Sequence, residues 1–506
     1  MNYFDQKIQP VRDQRLTIID SFCGGGCDLL DCARSGCALR QNRRFWQANA
    51  CQMALTIMMA STVENAQIIM HGPIGCGQQM NGLVAQGNRG RVSRGLPMIA
   101  PRPWLSTNLK ESDVIGGGEQ KLREAIEFAD REYRPEIIFV ISTCAPNIIG
   151  DDVEEVVCRA QETTAATVVG LHCPGFKSRV VASAYDAFYH GLLRHLKFEP
   201  EPYKDFLPLD ENNPEYERTM HRFQFEKRRT VNIFNATSIG AQDEQELTRL
   251  LEALGLKVRI FAEYSSLDKM RMISHAALNV SMCNVHDDYM LSFLKEKYGM
   301  PYVIAGMPLG VKATREWLLA IAKHFGLEEQ ANRLADAEEA RVNEAIEPFL
   351  PKLRGKRVLL CGGIVRVGVE AVMLSELGMD VIGARLYHYD TGADPIIEDM
   401  ADNLPDMQVA VSNQIFELVN QVNTYKPDLM VSHAGTHGWL ARTGVPSVQL
   451  FNAMESRFAY NGLFTIISRM ALALENPSYE KRLAAHTRLP YKESWYEKNP
   501  FSYLKS

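Results

Sequence analysis

Short apolar runs alternating with longer amphipathic helical patterns predict an α/β protein built from several doubly wound parallel sheets. Two further observations set the scale. The chain has 506 residues, of which 46% are hydrophobic and 23% charged. At roughly 100–200 residues per domain, that is about three compact units with ample material for buried cores. With 55 basic against 61 acidic residues the formal charge is only −6. No strong basic field favours nucleic acid or an anionic membrane. No apolar run reaches the roughly 20 residues of a spanning helix, and the N-terminus MNYFDQKIQPVRDQRL lacks the apolar core of a secretory signal. The expectation is a soluble, cytoplasmic protein.

In chain order, β-branched and aliphatic runs bounded by turn residues predict strands at Gln67–Met70, Glu136–Thr143, Thr167–Leu171, Val231–Ala236 and Lys257–Ala262. Further strands are predicted at Pro301–Ala305, Arg357–Cys361, Asp380–Ala384, Asp428–Ser432 and Val445–Phe451. Apolar residues at helical spacing predict helices at Glu119–Arg131, Thr314–Phe325, Glu328–Phe349 and Asn413–Tyr425. Lys197–Thr230 is polar, proline-rich and poor in alternation, so it reads as a linker; Pro351–Lys356 marks a second break. The resulting division is an N-terminal, cysteine-rich arm (1–50), a first α/β domain with its linker (51–230), a second (231–354) and a third with a C-terminal tail (355–506). Open parallel sheets place their sites beyond the carboxyl ends of the strands.

Eleven cysteines are too few for a disulfide scaffold at this length, and in a reducing compartment they serve as core residues, nucleophiles or metal ligands. Cys76, in HGPIGCG, and Cys144, in STCAPNIIGDD, each follow a predicted strand, and Cys51 lies one short helix upstream of the first. Three thiols on loops at one end of a sheet suit an iron–sulfur cluster, with flanking glycines admitting backbone donors to sulfide; three independent buried thiols are the alternative. Cys283, in LNVSMCNVHDDYM with His286 three residues on, is a strand-end ligand or a core cysteine. Cys361, Cys158 and Cys173 read as core. Cys23, Cys27, Cys32 and Cys37 suit either an extra metal site or an arm packed on a partner. VIGGGEQKL and CGGIVRVG precede helices but lack the phosphate-loop and dinucleotide patterns, which argues against nucleotide binding.

HGPIGCG, DVIGGGEQKL and STCAPNIIGDDVEEV together resemble the first domain of the nitrogenase component 1 family, and the likeness continues through NVSMCNVHDDYM, RVLLCGGIVRVGVEAVMLSELGMDVIG and AYNGLFTIISRM. The resemblance covers about residues 45–480. It implies three α/β domains, a homologous β-type partner in an α2β2 assembly, and an iron–sulfur cluster at the subunit interface held by three cysteines from each side. Cys51, Cys76 and Cys144 match those positions. Cys283 matches the α-type cysteine that holds a large iron–sulfur cofactor between domains.

Departures from the family pattern are equally specific. Phe458 stands where nitrogenase α-subunits have a cofactor-ligating histidine, and Gly435 near the lysine beside homocitrate. Val181 and Tyr185 replace a glutamine and a histidine that face the cofactor. An aliphatic side chain donates no proton, and a phenol of pKa about 10 donates less readily than a histidine near 6.5. These losses argue against dinitrogen reduction. His433 or His437 could replace the missing ligand. His388, within Tyr387–Asp390, and Tyr185 could supply protons, and Arg366 could donate hydrogen bonds to a sulfide-rich anionic cofactor. The implied function is the catalytic α-type subunit of a nitrogenase-like, ATP-dependent reductase fed by an iron protein, of the methylthio-alkane reductase type. The alternatives are a non-catalytic cofactor-assembly scaffold, or a reductase with the interface cluster alone.

Overall fold

The computed structural model describes residues 11–19, 22–36, 51–77, 83–98, 102–178, 180–198, 214–412, 414–433, 437–449, 451, 455–489 and 491–497. Cys37 and Gly435 lie outside these residues, as do 199–213 of the predicted linker. Among the described residues three larger sheets, with a two-stranded pair beside them, organise the fold. In the first, Leu105–Ser106, Ala66–His71, Ile137–Ser142 and Thr167–His172 lie side by side and parallel. The second runs Tyr302–Ile304, Leu278–Ser281, Thr230–Asn235 and Lys257–Ala262, again parallel. The third orders Ser447–Gln449, Leu429–Ser432, Arg357–Gly362, Asp380–Leu386 and Gln408–Val411 in parallel, then adds Phe22–Gly25 antiparallel at its edge. Helices cover both faces, so central strands such as IIFVIS bury every residue rather than alternating.

All ten expected strands are present. Short ones escaped: Leu278–Ser281 and Gln408–Val411 have four residues each, too few for periodicity to register. Within the expected linker, Pro214–Lys227 is a helix. Cys158 is exposed, not core. Its helix Val153–Thr163 buries Val153, Val156, Val157 and Ala160, and a residue one step past Val157 turns to solvent.

The N-terminal segment is part of the body rather than a free arm. Phe22–Gly25 extends the third sheet, with Cys23 opposite Ala410. Helix Gly26–Ser35 lies against helix Asp394–Asn403 so closely that a Cβ on Gly26 would sit 2.8 Å from the Ala401 methyl. Cys27 is exposed, and Cys32 packs against the core. The cores are shared between sheets. One runs from Val231, Leu247 and Trp317 to Leu360, Tyr389 and Phe458, and another joins Phe139 and Tyr189 to Phe234 and Phe261. No helix among the described residues is long and apolar enough to cross a membrane.

Candidate functional site: two cysteine centres

Cys51, Cys76 and Cys144 come together at the carboxyl end of the first sheet. Cys51 is the N-cap of helix Gln52–Thr62. Cys76 sits in the turn Ile74–Gly77 that follows Ala66–His71, and Cys144 opens helix Cys144–Ile149 after Ile137–Ser142. All three thiols are half-buried. A Cβ on Gly175 would lie 2.9 Å from Cys51 Sγ and 3.6 Å from Cys144 Sγ. That glycine keeps open the space the thiols border. Burial, then the neighbouring Cys144 and Cys51, pushes the Cys76 thiol up. Among the described residues no three His, Cys, Asp or Glu side chains converge tightly enough for a single metal ion.

One network fixes the loops that carry them. Thr107 Oγ1 accepts the Gly72 N–H at 3.1 Å and donates to His71 Nδ1 at 3.0 Å, which leaves His71 Nε2–H to donate to Asp151 Oδ2 at 3.0 Å. Asp151 Oδ1 also accepts the Gly118 N–H at 2.9 Å. His71 is fully buried, and burial lowers its pKa against the pull of Asp151, so the ring is neutral. HGPIGCG, GGG and GDD are thus one structural unit. A Cβ on Gly118 would strike Asp151 Oδ2 at 2.6 Å and His71 Cε1 at 2.9 Å.

The second centre is Cys283, just past Leu278–Ser281 and buried. Ser281 Oγ accepts the Cys283 N–H at 3.0 Å and donates to Asp287 Oδ2 at 2.7 Å, while Tyr189 donates to Asp287 Oδ1 at 2.8 Å. His286 stacks on Tyr185 with centroids 3.8 Å apart, and its Nδ1 lies 3.2 Å from Ser238 Oγ. Arg366 donates to the Ser238 carbonyl at 2.7 Å and sits over the Phe458 ring at 5.0 Å and the Phe451 ring at 5.8 Å. Cation–π attraction favours that placement. Burial pushes Cys283 up to about 12 and holds the Tyr185 phenol protonated well above its usual range. Arg366 is within electrostatic reach of both Cys283 and Tyr185.

The expected site residues divide accordingly. Cys283, Arg366 and Tyr185 lie in one buried neighbourhood. His388 is partly buried, and desolvation, helped by Arg12, lowers it to about 4. It departs from the expectation of a histidine near neutrality, because the ring has too little solvent to support its charge. His433 falls to about 4 by burial and then Arg366; its ring meets Tyr387 edge-on at 5.7 Å. His437 opens helix His437–Leu440, its side chain lying outside the described residues. Val181 is a partly buried turn residue ahead of helix Ser183–His195. Sequence reasoning missed Gly175, Ser238 and, above all, Arg12, Arg15 and Glu370. The last three are ionisable yet buried, a state that composition does not reveal.

The residues around Cys283 suit an iron–sulfur group by their donor set: one buried thiol, the Arg366 guanidinium, and the buried atoms Arg12 Nη1 and His388 Nε2, neither of which has a hydrogen-bond partner. A sulfide-rich anion would satisfy such donors.

The overall structure is similar to nitrogenase Cp1, with a TM-score of 0.71 at 20% identity over 90% of this chain and 92% of that one. A nitrogenase molybdenum-iron protein alpha chain from Methanothermobacter marburgensis is 24% identical, covering 84% of this chain and 86% of its own length. A nitrogenase iron-molybdenum cofactor biosynthesis protein NifE from Klebsiella pneumoniae is 26% identical over 84% of this chain and 88% of its own length. The sequence profile of the nitrogenase component 1 type oxidoreductases matches residues 51–475. That match spans most of the chain, and with the parallel-sheet fold the chain belongs to the nitrogenase component 1 type oxidoreductase family.

Proposed function

We propose that the chain is the catalytic α-type subunit of a nitrogenase-like, ATP-dependent reductase that cleaves carbon–sulfur bonds of small methylthio-alkanes rather than reducing dinitrogen. The observation that supports this reading is the placement of Arg366 over the Phe458 and Phe451 rings, within electrostatic reach of Cys283. Aromatic rings there suit a soft, apolar thioether, whose sulfur makes favourable contacts with ring edges. The overall change converts R–S–CH3, two electrons and two protons into R–H and methanethiol. A large iron–sulfur cofactor held by Cys283 supplies low-potential electrons when bound. Arg366 presents positive charge to it, and Tyr185 holds its phenolic proton against loss. Cys283 and Tyr185 are buried and His286 partly so, which limits water around the thiol.

Cys51, Cys76 and Cys144 would hold the chain's half of an interface cluster shared with a homologous β-type subunit in an α2β2 assembly, reduced by an iron protein. Support for a partner on this face comes from its exposed apolar side chains. Ile74, Ile148 and Phe176 border the thiol loops, and Ile115 beside the glycine run is 89% exposed. A non-catalytic scaffold for cofactor assembly is the second reading, favoured by the likeness to NifE.

Anaerobic complex supplied with its iron protein, ATP and dithionite should release methanethiol from a methylthio-alkane. Cys283→Ala should lose the iron of the large cofactor while keeping the interface cluster's paramagnetic signal. Full loading without turnover would move the chain to the scaffold reading. Iron sufficient only for the interface cluster would overturn both readings.

A further inference from the structure

We propose that residues 11–18 form a strap that closes the Cys283 pocket and lifts as a unit to admit the cofactor. The proposal rests on reading that pocket as a cofactor site. The segment comprises one helical turn, Arg12–Arg15, and the strand Leu16–Ile18, which pairs antiparallel with Tyr389–Asp390. Arg12 donates from Nε to Asp186 Oδ2 and from Nη2 to the Val285 carbonyl, both at 2.6 Å, and its Nη1 lies 3.5 Å from Asp390 Oδ2. Asp186 adjoins Tyr185, Val285 is two residues past Cys283, and Asp390 is two past His388. A single side chain therefore ties together the neighbours of three pocket groups, one from each domain. Arg15 repeats the tie, donating to Asp288 Oδ2 at 2.6 Å and Asp390 Oδ1 at 2.9 Å. The charge of Arg12 reaches Cys283, His286 and His388.

The way this segment is held favours release as a unit. Apolar anchorage comes from Leu16 and Ile18; the remaining hold is the short strand pairing, the Arg12 bond to the Val285 carbonyl and ion pairs between two buried arginines and three aspartates. Removing one partner strands a buried charge, whereas lifting the whole segment returns the arginines and exposes their carboxylates to water, recovering hydration that offsets the lost pairing. Asp390 keeps its place meanwhile, because its Oδ1 also accepts the Gly392 N–H at 2.9 Å. A strap of this kind is tight when docked and separable along one seam.

The test uses the full complex carrying Arg12→Gln with Arg15→Gln. In cofactor-free protein, amide deuterium exchange of residues 283–290 and 386–392 should accelerate about tenfold or more, while strand Ile137–Ser142 is unchanged. In loaded protein, a ferrous chelator should strip iron beyond the interface cluster several-fold faster than from the wild type. Should the double variant fail to fold, Asp186→Asn, which loosens Arg12 alone, is given the same two measurements. Unchanged exchange would overturn the strap, and accelerated exchange with equal stripping rates would overturn its role as a gate. If the wild type carries no iron beyond the interface cluster, the cofactor reading fails, and the exchange result still decides whether the segment covers the pocket.

Discussion

Glu370→Gln should make the folded chain progressively more stable than the wild type as pH rises from 5 to 8, the range over which burial shifts this carboxyl. Glu370 lies one turn beyond Arg366 on helix Ile364–Glu376, fully buried, with neither carboxylate oxygen hydrogen-bonded. Burial outweighs the pull of Arg366 and Arg457 and moves its pKa from 4.5 up to about 8. Below 4.5 the folded and unfolded chains both carry the proton and the residue contributes nothing. Between 4.5 and 8 only the folded chain keeps it, so stability falls with rising pH by about 1.4 kcal/mol per pH unit. Above 8 the folded chain holds a buried carboxylate, and the accumulated penalty has a ceiling of about 5 kcal/mol. Glutamine has the same shape and never ionises. The assay is urea unfolding of the cofactor-free chain across this range, followed by tryptophan fluorescence, for both proteins. Parallel curves, or a wild type that gains on the variant toward pH 8, would refute the reasoning.

Three other substitutions probe the architecture. Arg15→Met should cost about 3–5 kcal/mol in urea unfolding, because Asp288 and Asp390 lose a buried counter-charge; a loss under about 1 kcal/mol would mean that the pair is solvated. Gly175→Ala should leave the circular dichroism spectrum intact and sharply reduce interface-cluster iron, since its methyl would stand 2.9 Å from Cys51 Sγ. Asp151→Asn places an amide where His71 and Gly118 need an acceptor. It should destabilise the first domain by about 1–3 kcal/mol in urea unfolding, and cluster retention should drop with it.

Much of the fold was legible because parallel strands buried on both faces are near-continuous apolar runs, as in IIFVIS and RVLLCG. Edge and very short strands were not. Leu16–Ile18 and Phe22–Gly25 each have a partner hundreds of residues away, and a few residues carry no period of their own. Cys158 could have been assigned to the surface from its helix alone, since Val156, Val157 and Ala160 already define the buried face. The thiols of the first centre were legible by their positions at strand ends. Gly175 was not, because its role depends on what stands opposite it.

By itself the sequence determined the α/β class, the order of the principal strands and the cysteines worth following. Those features are local: periodicity, turn chemistry and position relative to a strand end. Tertiary structure alone decided which groups share an environment. It lowered the pKa of His388, set Phe458 beneath Arg366, and buried Glu370 without a hydrogen-bond partner. It also brought Arg12 and Arg15 from the chain's beginning to aspartates on three domains. Electrostatics inside a protein depends on burial and on neighbours distant in sequence, and both exist only once the sheets have assembled.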